Sequence, residues 1–201
     1  SQIQNFMEDD STELSNSIND IIAQAEEMIF QRLPSLPCFR QVATANFVVG
    51  TFDYTVANAR MIRQVSITDS SSNISFLNHR IDSYLRDFHP NTSTTSTPEM
   101  YSTKNATTSG IIFTVAPTPS ATLAYQVDFV APVSGLSSSN TTTWLGDNAE
   151  NVLLAAALYE TSAFLKASET LSLYKAQFDE AIALFQQEMA RNYTAEYNAG
   201  I

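Results

Sequence analysis

Residues Thr143 to Asn192 read TWLGDNAENVLLAAALYETSAFLKASETLSLYKAQFDEAIALFQQEMARN, and this stretch decides the fold. Val152, Leu153, Ala156, Tyr159, Ala163 and Phe164 recur at helical spacing, which places them on one face of a helix. Leu171, Tyr174, Phe178, Ala181, Ile182, Phe185 and Met189 do the same in the second half. The spacing predicts helices over 147–166 and 169–192, with Asp147 or Asn148 capping the first. Ala155, Ala156, Ala157 and Ala163 favour helix and let a neighbour come close. Two helices joined by a short polar break pack antiparallel, so the block reads as a helical hairpin. Trp144, the only tryptophan, stands at its head as a core residue or, alternatively, as an interface anchor.

Working outward, a second helical pattern lies near the start. Leu14, Ile18, Ile21, Ile22, Ala25, Ile29 and Leu33 form one apolar stripe over residues 11–33, with Asp10 or Ser11 as cap and Pro34 and Pro37 as the stop. Glu13, Asp20, Glu26 and Glu27 fall largely outside that stripe. Between the helical parts the pattern turns to β. Phe47–Gly50, Tyr54–Val56, Val65–Thr68, Ile74–Leu77 and Met100–Thr103 are rich in β-branched and aromatic residues. Gly110–Val115 and Leu123–Phe129, joined through Pro117 and Pro119, predict a β-hairpin. Residues 78–89 predict a short helix carrying Ile81, Tyr84, Leu85 and Phe88. Residues 90–98 read as a polar loop free to move, and 132–140 as linker. Tyr193 to Ile201 has no clear period and is expected to be disordered alone or ordered by a partner.

The reading is therefore α+β: a helical bundle, built from the N-terminal helix and the C-terminal hairpin, with an inserted antiparallel β-sandwich or barrel-like region. The divisions expected are 1–38 and 144–192 for the helical body, 39–143 for the insertion, and 193–201 for a tail.

Composition narrows the function. Apolar residues make up 44% of the 201, enough for a sizeable core, while charged residues are only 15%. The net charge of −11 argues against a protein that grips nucleic acid, because phosphate binding needs clustered Lys and Arg. It is compatible with nucleic acid passing nearby, since an acidic wall repels it. One cysteine, Cys38, allows neither an internal disulfide nor a multi-thiolate metal site, and reads as a small hydrophobe. The first ten residues have no basic start and no apolar core, so no secretory signal is expected in them. No apolar run approaches the roughly 20 residues that span a bilayer, so a soluble chain without membrane contact is expected. Five Asn-x-Ser/Thr triplets, at Asn73, Asn91, Asn105, Asn140 and Asn192, are what chance yields in a chain this rich in Asn, Ser and Thr.

Catalytic patterns are missing from the sequence. His79 and His89 are ten apart, not at metal-pair spacing, and no Gly-rich phosphate loop or Gly-x-Ser-x-Gly elbow occurs. No enzyme, metal or cofactor is expected. Arg80 and Arg86 with His79 and His89 make a small basic patch that meets an acidic partner surface or, more simply, pairs locally with Asp82 and Asp87.

The pieces resemble a known family. Arg32-Leu33-Pro34 at the end of the first helix, Phe52-Asp53-Tyr54-Thr55-Val56 with Arg60-Met61-Ile62-Arg63-Gln64-Val65, the Thr97-Pro98-Glu99-Met100-Tyr101 step, and the helices around Ala156-Leu158-Tyr159-Glu160 and Tyr174-Lys175-Ala176-Gln177-Phe178 carry the likeness. Their order resembles the head-to-tail adaptors, or tail tubular proteins, of short-tailed bacteriophages. The resemblance implies a structural virion protein at the head–tail junction, assembled in the host cytoplasm as a dodecameric ring. It also implies that the ring joins the portal protein to the tail nozzle while DNA passes through without specific binding. On that basis Tyr193, Glu196, Tyr197 and Ile201 are expected to meet the portal or a neighbouring subunit, and His89, Asn91 and Thr94 to sit on a loop facing the tail. Competing readings are another virion part, such as a head-completion or tail protein, and a surface or glycan-binding module. A hydrolase comes last.

Overall fold

Ser11 starts the first long helix by accepting the Leu14 N–H on its Oγ at 3.2 Å, which satisfies one donor the helix cannot satisfy itself. The computed structural model describes residues 2–8, 11–105, 110–133, 135–137 and 139–199, with the backbone alone from 192 onward. In chain order these form α1 (Gln2–Met7), α2 (Thr12–Arg32), β1 (Arg40–Asn46), β2 (Asp53–Val56), β3 (Met61–Thr68), β4 (Ile74–Phe76) and β5 (Asn78–His79). Then come α3 (Asp82–Phe88), β6 (Thr95–Ser96), β7 (Met100–Asn105), β8 (Ile111–Ala116), β9 (Thr118–Pro119) and β10 (Ala124–Val130). The chain closes with α4 (Trp144–Asn148), α5 (Glu150–Phe164) and α6 (Ser168–Ala199). It divides into a helical unit, Ser1–Pro34 with Ser134–Ile201, and a β unit, Ser35–Val133.

In the helical unit α5 is the central element, packed by α1, α2, α4 and α6. Val152, Leu153, Ala155, Ala156, Ala157, Leu158, Thr161 and Ser162 are all buried, more than one face can account for. The small side chains allow several neighbours at once, and the Thr161 hydroxyl is satisfied by donating to the Ala157 carbonyl at 2.6 Å. α2 offers Leu14, Ile21, Ala25, Ile29 and Phe30 to this core, close to the expected stripe. α6 offers Phe178, Ile182 and Phe185, with Leu171, Tyr174, Ala181 and Met189 half-buried beside them. Each large side chain so buried contributes about 1.5–3 kcal/mol. The hairpin is antiparallel: Thr170 approaches Ser162 beside the turn, and Trp144 meets Phe185 edge-on at 6.4 Å at the far end.

Three expectations change here. The first helix is capped by Thr143, whose Oγ1 accepts the Gly146 N–H at 3.1 Å, and not by Asp147 or Asn148. The helical stretch over 147–166 is interrupted at Ala149 (φ −140°), where α4 ends and α5 begins. Ala163 and Phe164 are exposed, because α5 is in its last turn there and the turn at Lys166 (φ +54°) redirects the chain. The expected aperiodic tail is also helical in backbone as far as Ala199, with no proline or glycine to stop it before Gly200.

The β unit is a sandwich. One sheet has the order β1-β10-β3-β4 and the other β2-β8-β7-β5, and a two-stranded ladder joins β6 to β9. The main ladders are antiparallel, β5–β7 and β6–β9 are parallel, and neither four-stranded sheet closes into a barrel among the described residues. Phe47, Val65, Ile67, Val127 and Phe129 from one layer pack on Tyr54, Tyr101, Phe113 and Val115 from the other. Ring centroids of Phe47, Tyr54, Phe113 and Tyr125 lie 4.6 to 5.5 Å apart.

The expected hairpin of 110–115 with 123–129 does not exist. β8 sits between β2 and β7, and β10 between β1 and β3, so they belong to opposite sheets. Phe113 and Val115 meet Val127 and Phe129 across the core, and the proline-rich segment between the strands carries the chain from one layer to the other. Phe47–Gly50 is likewise no strand. The strand is Arg40–Asn46, and Val48–Thr51 is a turn with Gly50 at φ +78°. The buried Tyr54 hydroxyl fixes that turn, accepting the Val48 N–H at 3.0 Å and donating to the Thr51 carbonyl at 2.8 Å.

Phe178→Ala is expected to cost about 3–5 kcal/mol in urea unfolding followed by helical circular dichroism. Leu173→Ala, on the exposed side of the same helix, is expected to stay within about 0.5 kcal/mol. Equal losses at the two positions would contradict the assignment of buried face.

Candidate assembly interface

Charge separates cleanly between the two units. The helical unit holds 15 carboxylate residues against 4 cationic ones, a net −11; the β unit holds 6 against 6, a net of zero. The whole net charge of the chain thus sits on the helical unit, something a single total for the sequence conceals.

Within that unit Glu26 has a particular task. It is half-buried on α2 and accepts the Leu136 N–H at 3.1 Å, tying the 135–137 segment to the helix. A Cβ at position 135 would meet this carboxylate, which would have to move aside to admit it. Burial pushes the Glu26 carboxyl above its ordinary value, partly offset by the Leu136 hydrogen bond. Burial also raises Glu160 on α5. An open groove of about 390 Å³ lies between α4, the start of α5 and α6. Asp147, Glu150 and Glu188 rim it, and Val152, Leu184 and Phe185 form its apolar side. Leu184 is 59% exposed although its neighbour Phe185 is buried.

In the β unit the short helix α3 buries only Leu85. Ile81 is 71% exposed and Phe88 61%. Tyr84 stacks on Phe88 with centroids 4.5 Å apart, and the Arg80 guanidinium lies over the Tyr84 ring at 5.5 Å. Arg86 pairs with Asp82 at 3.4 Å, an exposed contact worth little. Local pairing thus accounts for Arg86, whereas Arg80 caps an exposed aromatic ladder. His79 packs near Tyr101 at 5.0 Å and lies apart from this ladder's stack.

The residues singled out in the sequence fall in two places. His89 ends α3, donating its N–H to the Leu85 carbonyl at 2.8 Å, and is half-buried. Asn91 and Thr94 are exposed in a loop that is well tied down. Asn91 accepts the Ser93 N–H at 2.9 Å, Thr94 N–H reaches the Asn91 carbonyl at 3.1 Å, and Thr118 donates to the Thr92 carbonyl at 2.7 Å. With β6 paired to β9 as well, this loop is held, contrary to the free loop expected. Tyr193, Glu196 and Tyr197 are on the last turns of α6, where only the backbone is described, and Ile201 lies outside the described residues.

Among the described residues no group of three or more His, Cys, Asp or Glu side chains is placed to hold a metal ion. Cys38 is half-buried and its thiol is pushed up to about 11 by burial, so it stays protonated at neutral pH. No helix among the described residues is long and apolar enough to cross a membrane. What the surface does offer is exposed apolar side chains, Ile81, Tyr84 and Phe88 at α3 and Leu184 on α6, the kind of feature that proteins use to fit against other proteins. The chain matches the SU10 adaptor protein family over residues 1–199 and belongs to that family. Membership makes it a phage adaptor, a structural virion component, and implies contacts with other virion components and with further copies of itself. No curated protein matches the chain.

Because burial favours the protonated Glu26 carboxyl, the folded chain binds that proton more tightly than the unfolded chain. Stability is then fullest in and below the ordinary glutamate range and falls as pH rises through the raised folded value. Glu26→Gln keeps an acceptor for the Leu136 N–H and cannot ionise. Its stability is expected to fall less than that of the natural chain between mildly acidic and neutral pH in urea unfolding; parallel curves would refute the assignment.

Proposed function

We propose that this chain is a head-to-tail adaptor of a short-tailed phage, assembled in the host cytoplasm as a dodecameric ring between the portal and the tail nozzle, with DNA passing through its centre. Family membership supplies the adaptor, and the observation that carries the rest is the segregation of charge. Double-stranded DNA presents one negative charge per roughly 1.7 Å of its axis. A wall with net charge −11 per subunit and few cations gives such a polymer nothing to adhere to. In this reading the helical unit lines the channel and the neutral β unit turns toward the tail.

The functional division follows the sequence: 1–38 and 144–192 form the ring body, 39–143 is the insertion, and 193–201 docks. α6 supports the last part. Its 32 residues extend ~48 Å, against ~22 Å for the 15 of α5, so its final turns outrun the helix they pack on. Tyr193, Glu196, Tyr197 and Ile201 would engage the portal or a neighbouring subunit there. His89, Asn91 and Thr94 would meet the nozzle from a loop already fixed in place.

Mass photometry and negative-stain imaging of the purified chain, alone and with its portal ring, test this. A ring, or a stoichiometric complex with the portal, is expected; a monomer indifferent to the portal would overturn the reading. A chain lacking 193–201 is expected to keep its helical circular dichroism and lose portal binding at least tenfold.

A further inference from the structure

We propose that neighbouring copies join through their β units, the free edge of β1 in one copy pairing antiparallel with the free edge of β4 in the next. This rests on the ring reading and names the strands that would close the ring. β1 is the longest edge strand of the sandwich, with seven residues against four in β2, three in β4 and two in β5. It holds no proline or glycine, its one charge is Arg40 at the start, and the bulge in its sheet lies between β10 and β3. An edge of that length without such protection invites another strand.

The ladders show which backbone groups are free. The Ala131 N–H donates to the Phe39 carbonyl and the Phe47 N–H to the Leu123 carbonyl, so the odd-numbered residues of β1 turn toward β10. Arg40, Val42, Thr44 and Asn46 therefore aim their N–H and C=O groups away from it, and among the described residues no strand lies on that side. In β4 the Leu77 N–H donates to the Val65 carbonyl, and the Asp69 N–H to the Asn73 carbonyl. That leaves the backbone groups of Ile74 and Phe76 aimed outward, again with no strand beside them among the described residues. An open groove of about 350 Å³, lined by Ile67, Ser75, Phe76, Leu77, Thr97 and Pro98, borders β4.

Strand direction, side-chain face and charge select β4 of another copy as the occupant. Direction alternates at every step of β1-β10-β3-β4, so β4 runs opposite to β1. Repeating the sheet therefore sets the next copy's β1 antiparallel beside β4 and keeps the outer face outward. On that face Val42 lies across from Asp128, Ile74 from Thr68 and Phe76 from Ser66, positions that alternate with the core residues Val65, Ile67, Val127 and Phe129. Val42 is 59% exposed, Ile74 64% and Phe76 63%, all on the two edge strands. With Val42 opposite Phe76 and Thr44 opposite Ile74, these apolar side chains meet on one face, where cross-strand pairs stabilise a ladder. The join also lies between units of zero net charge, away from the −11 of the helical units.

Two β1 edges pairing about a two-fold axis would close a dimer and leave both β4 edges uncovered. Pairing β1 with β4 uses both edges of every copy, a head-to-tail contact of the kind that closes into a ring. A stable interface buries about 1,200–2,000 Å² in total, so the strand pair acts as the anchor of a wider contact.

The test uses the full chain with its portal ring as template. Val42→Pro and, separately, Phe76→Pro each remove an outward N–H and leave the ladders to β10 and β3 in place. Each is expected to keep the circular dichroism of the natural chain and to weaken ring formation at least tenfold by mass photometry, while Val42→Thr keeps the ring. A second measurement, in a Cys38→Ser background, is oxidation of Val42→Cys/Phe76→Cys in the assembled ring, which is expected to link successive copies. Within one copy β1 and β4 are three strand spacings apart, roughly 14 Å, too far for a disulfide.

If the natural chain forms no ring with the portal, the ring reading fails and this proposal with it. If the ring forms and the folded proline variants form it as well, the ring stands and this contact is wrong. Absence of linked copies from an assembled ring refutes the contact whether or not the proline variants fold. Linked pairs from Val42→Cys alone would set β1 against β1 across a two-fold axis, which overturns the proposal.

Discussion

The close approach of helices to the alanine row of α5 is the constraint on which the helical unit depends. Ala155, Ala156 and Ala157 are buried together, and α2 and α6 both pack on the helix that carries them. A larger side chain at Ala156, which has no exposed surface, would have to push a neighbour away, and packed interiors resist that. The same closeness explains why α5 lacks a polar face while α2 and α6 have one. α5 is the element everything else is built around, and the outer helices can then spend their outward faces on charge.

That distribution has a mechanical consequence. Carboxylates on the outside of a helical unit repel one another and their counterparts on other copies, which disfavours self-association of that unit. Two devices keep it together despite the repulsion. Arg32 at the end of α2 pairs with Asp179 on α6 at 3.4 Å, a modest exposed contact. Glu26 is withdrawn from the surface and used as a hydrogen-bond acceptor for the segment that leads into α4. The β unit has no comparable excess, and its ion pair of Lys104 with Asp53 at 2.7 Å ties β7 to β2 across β8.

The helices were legible in the sequence because their faces are set by local spacing. The stripe from Leu171 to Met189 agrees with the buried and half-buried positions of α6 throughout. The strands were legible as strands, but their partners were not. Residues 110–115 and 123–129 look like a hairpin because each is apolar and a turn-rich segment lies between them; only the three-dimensional core decides that they face each other across two layers. The Val48–Thr51 turn was hidden for a related reason, since the group that fixes it is a tyrosine hydroxyl from the next strand. Of the candidate interface, the basic residues near α3 could be seen in the sequence. Their use could not, because Arg80 and Arg86 look alike in a list and differ only in whether a ring or a carboxylate lies beside them. The charge partition needed the division into units, for the helical unit is assembled from the two ends of the chain.

The proposed role asks an adaptor to stay dispersed until its place in the particle exists, and then to bind firmly. The charge pattern satisfies both demands with one device. At a distance, a subunit with net charge −11 meets another as a like charge, and encounter is slowed. At contact, salt screens the long-range repulsion within about 8–10 Å, and what remains is local: exposed apolar side chains and the charges beside them. Apolar burial is non-directional and insensitive to that screening, so it supplies the affinity, while the charges choose which faces meet. A template that holds subunits side by side raises their effective concentration and removes most of the cost of the encounter. In the ring proposed above, the placement of the carboxylates is compatible with late, templated assembly without a conformational switch.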